Sequence, residues 1–268
     1  ATLVIWGIIV AIVIVMATVC IVLILQGKWG VDGNDSNDYI EIKEENIQQD
    51  VSVIHLNWVS GDVQVKKSSN DQIRIVQKGN DDYPQEQLFA TKIDGDTLYI
   101  EDTRGYGINM FGFQKQENTD LVLYLPEKEY QQLNGNFVSA NVTVDTCNTN
   151  HLYLKTISGT ILVEKGKCGS VELNTTSGDI NINDLYTENL NCETISSSIQ
   201  TEGIFDKVTF STTYGLMECT ANEPLNQLTV TTVSGDFHGM IPEKNGFTAT
   251  YHTVSGTFES EFETIQDN

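Results

Sequence analysis

The chain has 268 residues, with 15 Lys and Arg against 37 Asp and Glu and a formal net charge of −22. This excludes a nucleic-acid binder that relies on counterion release, because such a protein needs a basic face, whereas here only Arg74 and Arg104 are arginines and the thirteen lysines are scattered. The length allows one large or two ordinary domains, and the acidity points to a solvated, self-repelling surface.

Residues 1–25 contain no charge and no proline. At about 1.5 Å per residue they would span roughly 37 Å, more than a hydrocarbon core of roughly 30 Å. The expectation is a transmembrane helix over 1–27 with the lipid bilayer as its partner. A cleaved signal peptide would have an apolar stretch of only about 7–15 residues before a small-x-small site. Lys28 and Trp29 suit the membrane interface. An acidic, strand-rich domain after a single N-terminal anchor is most economically placed outside the cytoplasm, giving a single-pass protein of the cell membrane with an extracytoplasmic C-terminal domain. A cytoplasmic portion could precede Ala1. Residues 28–38 read as a juxtamembrane linker. Its acidic spacing fails as a calcium loop, since counting from Asp32 places Asn37 where the turn glycine belongs and Lys43 where a bidentate glutamate belongs.

Beyond the linker, helical periodicity gives way to short period-two runs: IRIVQ at 73–77, TLYIED at 97–102 and LVLYLP at 121–126. The ectodomain is therefore all-β, with an irregular part over 39–135. Over 136–268 an internal repeat dominates: FVSANVTV (137–144), TISGTILV (156–163), TTSGDINI (175–182), TISSSIQT (194–201), TTYGLMEC (212–219), TVSGDFHG (232–239) and TVSGTFES (253–260). The glycine column falls at 140, 159, 178, 197, 215, 235 and 256, in steps of 18 to 21 residues. An outlying copy, WVSGDVQV, lies at 58–65, and KIDGDTLYI at 92–100 reads as a degenerate one.

Steps of about 19 residues with one turn and two short strands predict a parallel β-solenoid, each repeat forming one coil. Three apolar files should line its core. They run two residues after the glycine column (Val142, Ile161, Ile180, Ile199, Met217, Phe237, Phe258), five before it (Leu154, Leu173, Cys192, Phe210, Val230, Tyr251) and seven before it (Leu152, Val171, Leu190, Val208, Leu228, Ala249). Three before it stand Thr156, Thr175, Thr194, Thr212, Thr232 and Thr253, read as a ladder bonding coil to coil. The turn glycines Gly61, Gly159, Gly178, Gly215, Gly235 and Gly256 are expected to permit positive φ at the bend.

With its N-terminal anchor, VSGDVQV early in the ectodomain, LVLYLPEKEYQQL at 121–133 and repeated SGD or SGT turns, the chain resembles the bacterial putative-adhesin β-strand-repeat family over about residues 39–262. That resemblance implies a parallel β-solenoid on a bacterial cell surface, with roles in adhesion or in envelope-stress regulation. Ser197 and Tyr214-Gly215 depart from the Ser-Gly pattern.

Of five cysteines, Cys20 falls in the apolar N-terminal stretch, while Cys192 and Cys219 fall in inward columns. Cys147 and Cys168 are placed in loops between coils, 21 residues apart, where they are either unpaired thiols or an inter-coil disulfide. His55, His151, His238 and His252 occupy different columns, so neither a metal nor a catalytic base is expected, and no cofactor is implied. Asp62, Asp179 and Asp236 follow the column glycine without forming a continuous carboxylate ladder. RGYGINMFGFQ at 104–114 stands out, with Tyr106, Ile108, Met110, Phe111 and Phe113 among glycines; it reads as a cap over the solenoid end or as a contact loop. The expected function is a non-catalytic surface-interaction module with a protein or cell-wall polymer partner. An envelope-sensing accessory domain is the alternative, and a polysaccharide-acting enzyme using paired carboxylates is a third reading.

Overall fold

The structure, a computed structural model, describes residues 39–104, 118–243 and 246–255. The expected anchor and linker with Lys28 and Trp29, the loop residues Tyr106, Ile108, Met110, Phe111 and Phe113, and Gly256 lie outside the described residues. Among the described residues no helix is long and apolar enough to cross a membrane. Tyr39–Asn268 form a compact unit that contains the entire described core.

That unit is a parallel β-solenoid. The strand β1 (Ile40–Ile47) is followed by β2 (Val53–Lys67), whose period-two pattern buries Ile54, Leu56 and Trp58 before the bend and Val63 and Val65 after it. β2 stacks in parallel on β7 (Tyr130–Val144), with Trp58 opposite Phe137, Gly61 opposite Ala140 and Val63 opposite Val142. The outlying WVSGDVQV copy is thus the coil directly beneath the first regular one, across 79 residues of sequence. From β7 the stack climbs through β8 (Cys147–Thr156), β9 (Ile161–Thr175), β10 (Ile180–Glu193), β11 (Ile199–Ala221), β12 (Gln227–Met240) and β13 (Thr248–Thr253), each parallel to the one before. The register skips between Ile182 and Leu185, which absorbs the 18-residue step, and the stack continues through Ser197 and Tyr214 by a bridge between Ser196 and Tyr214.

The segment between β2 and β7 closes the first end of the stack with antiparallel strands. β3 (Ile73–Gly79) pairs with β1 and with β6 (Asp120–Leu125), and β6 lies parallel to the second half of β2. β4 (Ala90–Asp94) and β5 (Thr97–Glu101) form a hairpin about Gly95 at φ 64, so KIDGDTLYI is a tight turn and not a coil bend. Asp94-Gly95-Asp96 shares the Gly-Asp dipeptide of the coils, but its two runs pair with each other. β5 then extends the first half of β2 as one more parallel strand.

The predicted files form one core. Val142, Ile161, Ile180, Ile199 and Met217 are at most 1% exposed, as are Leu154, Leu173, Cys192 and Phe210. Each such side chain contributes about 1.5–3 kcal/mol of burial. Phe237 and Tyr251 are only partly buried and Ala249 is exposed, because among the described residues β13 pairs with β12 alone.

Three expectations are corrected. The coil carries a third short side, where Cys147, Gly166 and Leu185 align, as do Thr149, Cys168 and Thr187, so the cysteines sit on buried strand positions and not in loops. Cys, Gly and Thr in those columns gave no alternating apolar signal. The threonine file points inward, but the buried hydroxyls of Thr175, Thr194, Thr232 and Thr253 have no partner among the described residues. Equivalent atoms on successive coils lie one strand spacing apart, about 4.8 Å, which is well beyond hydrogen-bonding reach. Only Thr156 and Thr212 find backbone carbonyls, those of Ala140 at 3.4 Å and Tyr214 at 3.0 Å.

The bend glycines are the third correction. Gly61, Gly159 and Gly215 have φ 106, 153 and 149, positive as expected, but Gly178 and Gly235 lie outside that region. Close approach selects glycine at Gly178, where an added Cβ would meet the Gly159 carbonyl oxygen at 1.9 Å.

Candidate functional site

The bends place side chains after the column so that they bond coil to coil. The Asn141 Oδ1 accepts the Thr160 N–H at 3.1 Å, the Asp179 carboxylate accepts the Ser198 N–H at 3.0 Å, and the Asp120 carboxylate accepts the Asp62 N–H at 2.9 Å. Gly61, Gly159, Gly178, Gly215 and Gly235 therefore belong to the scaffold, as the backbone that these caps hold together. Asp62 accepts Asn141 Nδ2 at 3.1 Å, while Asp179 and Asp236 lie on other coils. Among the described residues no three His, Cys, Asp or Glu side chains stand close enough to hold a metal ion.

Cys147 and Cys168 are brought together. The Cys168 thiol donates to the Cys147 sulfur at 3.4 Å, and both are free thiols. That hydrogen bond, followed by burial, pushes the Cys147 thiol well above its usual range. Burial does the same to Cys192 and pushes Cys219 up to about 11, against a hydrogen bond with Thr201. Raised in this way, Cys147, Cys192 and Cys219 are not activated as nucleophiles.

The first side of the coils presents a polar and aromatic lattice. Inward positions of β5, β2, β7 and β8 bury Leu98, Ile54, Leu133 and Leu152, so their neighbours face outward by the period-two rule. Tyr99, His55, Asn134 and Tyr153 stand in one outward column, with Glu101, Asn57, Asn136 and Lys155 in the next. The rings of His55 and Tyr99 stack with centroids 5.0 Å apart at 9°. Asn134 Nδ2 lies 3.3 Å from His55 Nδ1, and Gln132 donates to the Asn134 carbonyl at 2.9 Å. Asn57 donates to both Glu101 carboxylate oxygens at 2.9 and 3.0 Å and accepts from Asn136 at 3.2 Å. These bonds fix aromatic faces and amide groups in rows before any ligand arrives.

This lattice was not foreseen from the sequence, because its rows draw on strands far apart in the chain. The signal available was the parity of each run: His55 and Tyr99 are the polar or aromatic residues between buried aliphatic ones. Arg104 was likewise missed. Its guanidinium holds the Asp102 carboxylate at 2.5 Å and donates to Ser60 Oγ at 3.1 Å, over the Trp58 ring at 5.2 Å. Both side chains are almost fully buried, and Trp58 donates to the Thr119 carbonyl at 3.0 Å.

Solved structures similar to this chain include three from Bacteroides and Parabacteroides. One is a putative adhesin from Bacteroides fragilis, at 13% identity and a TM-score of 0.45, covering 81% of this chain and 98% of that one. The second is a putative lipid binding protein from Parabacteroides distasonis, at 12% identity and a TM-score of 0.44, covering 80% and 94%. The third, a putative adhesin from Parabacteroides distasonis, has 14% identity and a TM-score of 0.43, covering 79% and 96%. No curated protein matches significantly. The family model described as Toastrack DUF4097 matches residues 51–268, and the chain belongs to that family.

Proposed function

We propose that the protein is a non-catalytic surface-interaction module, held at the cell membrane by residues 1–25 with its β-solenoid outside the cytoplasm, and that it adheres to a repeating cell-wall polymer. The observation that carries this reading is the pre-organised lattice of Tyr99, His55 and Tyr153, with the buried Asn134 holding His55, beside Glu101, Asn57 and Asn136 on neighbouring strands. Aromatic faces offer stacking area, and fixed amides offer donors and acceptors to hydroxyl-rich units. Strands about 4.8 Å apart set these groups out as a row across β5, β2, β7 and β8, which suits an extended ligand better than a single small molecule. The Cys168 hydrogen bond and burial raise the Cys147 thiol, and burial raises those of Cys192 and Cys219, which leaves them poor nucleophiles, in keeping with a binding role.

Calorimetric titration of Tyr39–Asn268 with soluble wall-glycan fragments of increasing length tests the reading. Affinity is expected to rise with fragment length until the lattice is spanned. Length-independent affinity, or none, would refute it.

A further inference from the structure

A cleft of about 450 Å³ opens where the turn after β6 overhangs the third side of the coils. Its floor is apolar, formed by Leu125, Pro126, Tyr130, Leu133, Leu185 and Ile204, with Tyr186 beside them. Five of the chain's thirteen lysines line it, Lys66, Lys67, Lys128, Lys165 and Lys167, against two carboxylates, Glu127 and Asp184. In a protein of net charge −22 this is a local concentration of cations.

The lysines are not equally engaged. Lys67 pairs with Glu127 at 2.5 Å, and Lys128 pairs with Asp50 and donates to the Val51 carbonyl at 2.7 Å. Lys167 lies over the Tyr186 ring at 5.6 Å. Among the described residues Lys66 and Lys165 have no ion-pair partner, although Asp184 aligns with Lys165 across the coils. Both line the cleft and also a neighbouring pocket lined by Asp145 and Glu164. Lysine stems can cover apolar wall while their ammonium groups stay at the mouth.

We propose that this cleft binds a single-chain fatty acid, its acyl chain on the floor between Leu125 and Ile204 and its carboxylate between Lys66 and Lys165. Small-molecule cavities run from roughly 300 to 1,000 Å³ and are mostly apolar with a few polar anchors; a volume at the lower end suits one acyl chain, not two. The apolar floor disfavours a free inorganic anion, and the two unpaired ammonium groups disfavour a neutral chain.

The test is titration of Tyr39–Asn268 with laurate below its micelle concentration, beside dodecanol and inorganic phosphate. Laurate is expected to bind one to one, at least tenfold more tightly than dodecanol, with phosphate alone giving no saturable binding. The pair Lys66→Gln and Lys165→Gln should weaken laurate at least tenfold with unchanged thermal unfolding, and Tyr186→Ser should weaken both chains. Equal binding of laurate and dodecanol, saturable binding of phosphate alone, or laurate binding indifferent to the lysine pair would each overturn the proposal. The wall-glycan titration is independent, because its lattice lies on another side of the coils.

Discussion

Gly178→Ala isolates the reason for glycine at the bend. An alanine Cβ would stand 1.9 Å from the Gly159 carbonyl oxygen, where ordinary contact begins at about 3.4 Å, so neighbouring coils must part by more than an ångström. The bonds that cross this gap are Ser177 N–H to the Ile157 carbonyl at 3.1 Å and Ile161 N–H to the Asp179 carbonyl at 2.9 Å. Losing one of them costs about 1 kcal/mol net, and overpacking a tight site adds about 1–3 kcal/mol. The expected loss is about 3 kcal/mol, a fall in melting temperature of about 6–12 °C for a unit of this size. Gly95→Ala is the control. Gly95 has φ +64 with open space around its Cβ position, so alanine there carries only the left-handed penalty of about 1 kcal/mol. Urea unfolding of both variants decides the matter: if Gly178→Ala costs no more than Gly95→Ala, close approach is not what selects glycine in the column.

Three further outcomes are expected. Thr194→Val should stabilise the protein by about 1 kcal/mol in urea unfolding, because the buried Thr194 hydroxyl has no partner among the described residues, whereas Thr212→Val should cost about 1 kcal/mol by removing the bond to the Tyr214 carbonyl; a loss at both sites would restore the bonded ladder. Burial above all raises the Asp120 carboxyl above its usual range, with the Asp62 carboxylate adding to it. A raised carboxyl pKa favours the folded state at low pH and loses that advantage as pH rises towards the folded value, so Asp120→Asn should raise the unfolding midpoint at pH 7 and leave it unchanged near pH 3. A gain of equal size at both pH values would contradict the assigned cause. Diamide, accepting two electrons and two protons from the thiols, is expected to join Cys147 to Cys168, since the sulfurs lie 3.4 Å apart and Cys147 forms part of the cleft wall. Closing a loop of this length should stabilise by about 3 kcal/mol, and recovery of two alkylatable thiols after oxidation and unfolding would refute the pairing.

The repeat was legible because the solenoid writes its core into columns: Ile161, Ile180 and Ile199 recur at one step, and burial obliges them to. The family follows from the same punctuation. The third side was hidden because Cys147, Gly166 and Thr187 carry no alternating hydrophobicity, and the paired runs of that side are three or four residues long. The end-closing strands were visible as strands but not as partners, since β3 and β6 pair across some forty residues of intervening chain. The outward lattice and the lysine-lined cleft were hidden for the same reason. Tyr99, His55 and Asn134, like Lys66 and Lys165, become neighbours only through parallel stacking of distant segments.

Cosedimentation of Tyr39–Asn268 with purified cell-wall polymer, compared with the double variant Tyr99→Ser and Tyr153→Ser, tests the central claim most directly. Both tyrosines are outward and only partly buried, so the variant should keep its melting temperature. The lattice account predicts that the wild-type unit pellets with the polymer and that the variant binds at least tenfold more weakly. Equal pelleting of the two, or none by the wild type, would contradict it.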